Sequence, residues 1–198
     1  MTQIPHPPSL VLASGSTYRR QLLSKLGLAF ECAAPDVDES RRPGEAAMAL
    51  AGRLAESKAR ALAEVFPAHL IIGSDQVACV DGRLLGKPGG RAGAIQQLQL
   101  VQGKPVRFYT GLYVFNSREQ RGLAEMDVTT VHFRPLSTQQ IEAYVDREQP
   151  YDCAGGFKSE SLGIALFDRI EGEDPNALVG LPLIRLVRLL EPFGVEVL

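Results

Sequence analysis

Asp75 stands between two apolar runs, Leu70-Ile71-Ile72-Gly73 ahead of Ser74-Asp75-Gln76 and Val77-Ala78-Cys79-Val80 behind it. The first run, with β-branched Ile71 and Ile72, reads as a buried strand. Asp75 is therefore expected at or just past the end of a central strand, where open α/β sheets present ligand-binding groups. A carboxylate there serves either hydrogen-bonded structure or chemistry, and three cations bear on the choice. Arg19 projects among Leu22, Leu23 and Leu26, on the inward face of a first helical turn. A guanidinium in that position needs an anionic partner, either an internal carboxylate or a bound phosphate. Lys58 falls inside an apolar helical stripe, with its head in water or its ammonium directed into a polar cleft. Lys87 lies in the loop Gly86-Lys87-Pro88, close to the Asp75 strand.

Three further stretches carry polar groups at suggestive spacing. Ser14-Gly15-Ser16-Thr17 joins a strand to a helix, where free backbone N–H groups and the helix dipole make an anion site; Ser and Thr there are also ordinary caps. Asp36, Asp38 and Glu39 place three carboxylates in one loop, oxygen ligands for a divalent metal or a solvated acidic loop. Gly155-Gly156-Phe157-Lys158-Ser159-Glu160 is a Gly-rich turn with a cation and a carboxylate two residues apart.

The elements that must position these groups follow from the hydrophobic pattern. Strands are expected at 10–13 and 29–34, with a helix between them running to about Leu26 and stopped by Gly27. A helix over 44–65 carries Leu50, Leu54, Ala61, Leu62 and Val65 on one stripe. Asp81-Gly82 signals a two-residue hairpin, and 90–101 reads as a helix. Two strand-like runs, 104–116 and 122–133, suggest an antiparallel hairpin extending the sheet. Ser137-Thr138-Gln139-Gln140 is a capping box, 164–167 a short strand, and a final helix begins near Leu181-Pro182. The chain reads as one domain over 1–198, with 1–9 a flexible N-terminus. Its class is mixed α/β: a twisted sheet flanked by helices, with two lobes around a central cleft.

Composition narrows the function classes. The 198 residues balance 21 Lys+Arg against 23 Asp+Glu, a net charge of −2, so there is no basic stripe for nucleic acid. An anionic ligand must be met by a few placed cations. Cys32, Cys79 and Cys153 are odd in number and widely spaced, which disfavours a disulfide framework or zinc site. The first nine residues lack the pattern of a secretory leader, and no apolar run approaches the ~20 residues that span a bilayer. A cytoplasmic protein is expected.

Together these motifs resemble the Maf family of nucleoside triphosphate pyrophosphatases. Ser14-Gly15-Ser16-Thr17-Tyr18-Arg19 is similar to its N-terminal loop, and Asp38-Glu39 to its acidic pair. Lys58, Ser74-Asp75-Gln76 and Gly86-Lys87-Pro88 match its helix lysine, catalytic segment and second lysine. Asp174-Pro175-Asn176 and Gly180-Leu181-Pro182 also fit. Gln76 after the aspartate and Phe157-Lys158-Ser159-Glu160 resemble the branch acting on 7-methyl-GTP, although Thr17 stands where Pro is common and Tyr18 where Trp is expected.

The resemblance implies an inosine-triphosphatase-like fold and hydrolysis between the α- and β-phosphates of a nucleoside triphosphate, with Mg²⁺ or Mn²⁺ and as a homodimer. It implies Arg19, Lys58, Asp75 and Lys87 as catalytic groups and Glu39 with Asp75 towards the metal. Ser14, Ser16, Tyr18, Gln76, Lys158 and Glu160 are the implied substrate contacts. Asp75 as general base and Asp75 as metal ligand are both open, with the base role favoured. N7-methylation makes guanine cationic, and attraction to Tyr18 and Glu160 is worth on the order of 1–2 kcal/mol, roughly ten-fold in affinity. The alternatives are a dTTP/UTP pyrophosphatase of the same family and a non-catalytic nucleotide-binding regulator of cell division.

Overall fold

The run Leu10-Val11-Leu12-Ala13 forms strand β1 (Ser9–Ala13), paired in parallel with β2 (Phe30–Ala33) on one side and β3 (His69–Val80) on the other. The structure, a computed structural model, describes residues 8–198. Of the expected flexible stretch, 1–7 lie outside the described residues and Ser9 already belongs to β1. Beyond β3 the sheet turns antiparallel through β5 (Pro105–Asn116), β6 (Arg121–Phe133) and β7 (Phe167–Glu171), in the order β2-β1-β3-β5-β6-β7. A seventh strand, β4 (Arg83–Leu85), pairs only with the far end of β3. The hairpin joining them has Asp81 and Gly82 at φ 48° and 77°, the left-handed pair that a two-residue turn of this kind demands.

Helix α2 (Ala47–Ala61) lies hard against β3 and β5 because small residues meet there. Its stripe Ala51, Ala55 and Ala59 is fully buried. A Cβ on Gly73 would come within 2.1 Å of the Ala55 carbonyl, and one on Gly111 within 2.4 Å of the Ala51 carbonyl. Both glycines are therefore required by close backbone approach. The expected helix over 44–65 is shorter at both ends. Gly44, at φ 72°, is still in a turn, and Ala61 and Val65 face solvent because the stripe ends with Lys58, Ala59 and Leu62.

The remaining helices cover the other face of the sheet. Helices α1 (Thr17–Ser24) and α5 (Leu183–Leu190) bury Leu22, Leu23 and Leu186 against Leu12, Ile72 and Leu112. Helices α3 (Arg91–Val101) and α4 (Thr138–Glu148) pack with Phe108, Phe133 and Phe157 in a separate cluster. Two apolar centres at either end of one continuous sheet give the mixed α/β architecture its two lobes. The short strand expected at 164–167 is instead a 3₁₀ turn, Leu162–Leu166, leading into β7. A Cβ on Gly163 would lie 2.2 Å from the Lys158 carbonyl, so this turn is folded tightly on the loop before it. Among the described residues no helix is long and apolar enough to cross a membrane.

Candidate active site

The sheet has a gap beside β3. β1 pairs with β3 only from His69 to Ile72, and β4 only from Ala78 to Val80. Between them Gly73–Val77 has β5 on one side and, among the described residues, no strand on the other. This corrects the placement of Asp75: it sits mid-strand, because the antiparallel ladder with β5 runs unbroken from Leu70 to Cys79. It does lie beyond the carboxyl end of β1, the parallel neighbour, so the crevice rule for open sheets still selects it. A cleft of about 860 Å³ opens along the gap. Successive side chains there point to opposite faces, so Asp75 is directed towards α2 while Ser74 and Gln76 turn to the α1 and α5 side.

On the α2 side, Lys58 donates from Nζ to Asp75 Oδ1 at 2.7 Å and to Glu39 Oε1 at 2.8 Å. Lys58 and Asp75 are buried, at 7% and 8% exposure. The close seat of α2 on Gly73 and Gly111 brings the ammonium this deep. Burial by itself would raise the Glu39 pKa, but the hydrogen bond and charge of Lys58, with Lys87 and Arg19, hold it below the ordinary carboxylate value. The loop carrying Glu39 is fastened by Arg53 of α2, which bonds Glu45 Oε1 at 2.6 Å and the Ser40 carbonyl at 2.9 Å.

Across the gap, the Ser14–Thr17 turn is capped from within. Ser16 Oγ accepts from the Arg19 N–H at 3.4 Å and Ser14 Oγ from the Ser16 N–H at 3.1 Å. As acceptors, both hydroxyls keep a proton to donate. Arg19 Nε donates to the Gly180 carbonyl at 2.8 Å, which also accepts from Ser74 Oγ at 3.0 Å. Among the described residues Arg19 has no carboxylate within ion-pair distance, and neither has Lys87, which is exposed at the rim. The internal salt bridge that Arg19 could have made is absent. The loop bearing Gly180 is itself held by buried Asp174, whose Oδ2 accepts from the Ile184 N–H at 2.6 Å, at the start of α5.

The far wall is built of groups on loops and helix ends. Tyr18, Cys153, Glu160 and Asp152 line it. Gln76 spends its amide on Thr110 Oγ1 and the carbonyls of Ala177 and Leu178, at 2.9–3.0 Å, so only its carbonyl oxygen is left for a ligand. Burial, then Cys153 and Asp152, raise the Tyr18 hydroxyl to about 12. Lys158 is the expected substrate contact that the structure places elsewhere. Its Nζ donates to the Glu148 carbonyl at 3.0 Å, closing the end of α4, and it does not line the cleft. The other expected residues, Ser14, Ser16, Tyr18, Arg19, Glu39, Lys58, Asp75, Gln76, Lys87 and Glu160, all do. Sequence reasoning missed Asp152 and Cys153, and it missed the Gly180 carbonyl, a backbone group with no side-chain signal.

Among the described residues no three His, Cys, Asp or Glu side chains converge as a metal cage. Two carboxylates do, and Asp75 Oδ2 and Glu39 Oε2 carry no protein hydrogen bond there. Hard oxygen donors in that number suit an ion of the Mg²⁺ type that completes its shell with water and phosphate oxygens. Three cations, two free hydroxyl donors and a carboxylate with one open oxygen are the equipment for hydrolysing a polyphosphate.

The profile of the family described as Maf-like protein matches residues 9–193. A protein of Pseudomonas aeruginosa named 7-methyl-GTP pyrophosphatase is 55% identical over 190 residues, covering 96% of this chain and 99% of that one. A protein of the same name from Nitrosococcus oceani is 53% identical over 194 residues, 98% of each chain. The solved structure of the Staphylococcus aureus Ham1 protein matches at 14% identity with a TM-score of 0.47, over 78% of this chain and 89% of that one.

Proposed function

The chain belongs to the Maf-like family, and from that premise we propose that it is a nucleotide pyrophosphatase that hydrolyses 7-methyl-GTP to 7-methyl-GMP and pyrophosphate. The supporting observation is the buried Lys58 ammonium shared by Asp75 and Glu39, beside Arg19 and Lys87, which among the described residues have no carboxylate within ion-pair distance. A purely binding module has no use for a strand-borne carboxylate with a free oxygen next to a phosphate site.

The residues divide the work as follows. Arg19 and Lys87 offset the negative charge of the triphosphate at fixed points, and the Ser14 and Ser16 hydroxyls donate to its oxygens. Lys58 uses two of its three N–H donors on carboxylates and has the third for a phosphate oxygen. Asp75 takes the proton of the attacking water on its open Oδ2 while Lys58 holds Oδ1 in place. The water oxygen bonds to phosphorus, the α–β bridging bond breaks, and pyrophosphate leaves. A divalent cation, Mg²⁺ or Mn²⁺, held by Glu39 and by Asp75, would neutralise phosphate charge as a Lewis acid. Its binding to Asp75 would share the same carboxylate that serves as base.

At the other wall, Tyr18 stacks on the base, Glu160 offsets the positive charge of an N7-methylated guanine, and the Gln76 carbonyl oxygen accepts from the base edge. Glu160 and Tyr18 are thus the proposed specificity pair, and Lys158 is not. A homodimer is part of the same reading on family grounds, and light scattering is expected to give twice the mass of the chain. The function is tested by pyrophosphate release from 7-methyl-GTP, GTP, dTTP, UTP and CTP with Mg²⁺ or Mn²⁺. The highest kcat/KM is expected for 7-methyl-GTP; a lead for dTTP or UTP overturns the base assignment, and no turnover of any of them overturns the enzyme.

A further inference from the structure

Four carboxylates line the cleft, and they are not equivalent. Glu39 and Asp75 share Lys58, whereas Asp152 and Glu160 have no cation within ion-pair distance among the described residues. The lysine that the sequence sets beside them, Lys158, is committed to the Glu148 carbonyl. All three cations of the cleft, Arg19, Lys58 and Lys87, belong to the phosphate side. The opposite wall therefore carries uncompensated negative charge, although the substrate itself is an anion.

Asp152 shares that wall with the aromatic residue Tyr18. Its Oδ1 accepts from Cys153 Sγ at 3.5 Å, and Tyr18, Cys153 and Asp152 line the same wall of the cleft. This places a carboxylate, unpaired among the described residues, on the wall that carries the Tyr18 ring. We propose that Asp152 is a specificity-determining residue, which with Cys153 and Tyr18 favours a purine bearing a fixed positive charge over its neutral counterpart. The inference rests on the base assignment made above and extends it to a residue on a different loop turn from Glu160.

The physical argument lies in a ratio. Repulsion between Asp152 and the triphosphate is the same for 7-methyl-GTP and GTP, so it cancels when the two are compared. Attraction to the ring charge is present only for the methylated base. Asp152 is exposed, so its field acts through a high dielectric and is screened by salt, with a Debye length of about 10 Å at 0.1 M. At a separation of several ångström a unit charge pair in that setting changes affinity by roughly three-fold.

The test is the ratio of kcat/KM for 7-methyl-GTP to that for GTP, in wild type, Asp152→Asn and Asp152→Glu, at low and at high salt. Asp152→Asn is expected to lower the ratio by roughly three-fold at low salt, with the difference from wild type closing at about 1 M salt. Asp152→Glu is expected to retain the preference. If Asp152→Asn leaves the ratio unchanged, or lowers both substrates in parallel, the residue shapes the loop only and the inference is overturned. A wild-type protein that does not prefer 7-methyl-GTP overturns the base assignment itself and this inference with it. A wild-type preference that Asp152→Asn leaves undiminished overturns this inference alone.

Discussion

The two walls of the cleft are built in different ways. The phosphate wall is interlocked: Lys58 joins two carboxylates, the Gly180 carbonyl collects Arg19 and Ser74, and Asp174 fastens the loop behind them. Of its cations, Arg19 and Lys58 are each held by a helix and a second contact, and only Lys87 is carried on an exposed loop. The base wall is carried by Tyr18 at the start of α1 and by the 152–160 loop, with Asp152 and Glu160 exposed. Chemistry at fixed geometry needs side chains that do not move, because small misplacements of reacting groups are costly. Discrimination between bases needs only a difference in field and contact, which exposed groups supply at modest strength. Changes at the first wall should therefore abolish turnover, and changes at the second should redistribute it among substrates.

The largest expected effect follows from removing the open carboxylate oxygen. Asp75→Asn should lower kcat by about 10²–10⁴-fold, the usual contribution of a positioned base, for every substrate alike. Steady-state kinetics on 7-methyl-GTP and GTP checks both the size and the lack of selectivity. Next comes the seat of α2. Gly73→Ala places a methyl group where the Ala55 carbonyl already lies. It should destabilise the fold by about 1–3 kcal/mol or more and displace Lys58, which thermal unfolding and activity together report. Glu160→Gln, at the opposite wall, should reduce the preference for 7-methyl-GTP over GTP by up to roughly ten-fold with turnover of GTP retained.

The smallest effect concerns the Glu39 loop. Hydrogen bonds from Arg53 and the Arg42 N–H, against some burial, lower the Glu45 pKa from 4.5 to about 2. A depressed carboxylate pKa contributes stability that is full above the unfolded value and is lost as pH falls through the folded one. The melting midpoint should thus fall between pH 4.5 and about 2, and Glu45→Gln should flatten that fall.

Much of the phosphate wall was legible in the sequence because its groups occupy periodic elements. Arg19 and Lys58 stand on apolar helical faces, where a charge demands a partner, and Asp75 interrupts a buried run. What the sequence did not convey was the gap between β1 and β4. The runs 70–73 and 77–80 look like an ended strand and a second one, and only the ladder with β5 joins them into one 12-residue strand. The base wall was less legible. Lys158 and Glu160 are neighbours in sequence, yet Gly155 and Gly156, both at positive φ, turn the loop so that Lys158 reaches α4 and Glu160 the cleft. Asp152 and Cys153 gave no periodic signal at all, since their relation to Tyr18 exists only across the fold.

The division of the cleft is tested most directly by titrating Asp75→Asn protein calorimetrically with 7-methyl-GTP and with GTP in the presence of Mg²⁺. If the two walls act separately, this variant releases pyrophosphate at least about 10²-fold more slowly and still binds 7-methyl-GTP more tightly than GTP, by the same factor as wild-type substrate preference. Hydrolysis at a rate near wild type, or a preference that vanishes with turnover, would contradict the account.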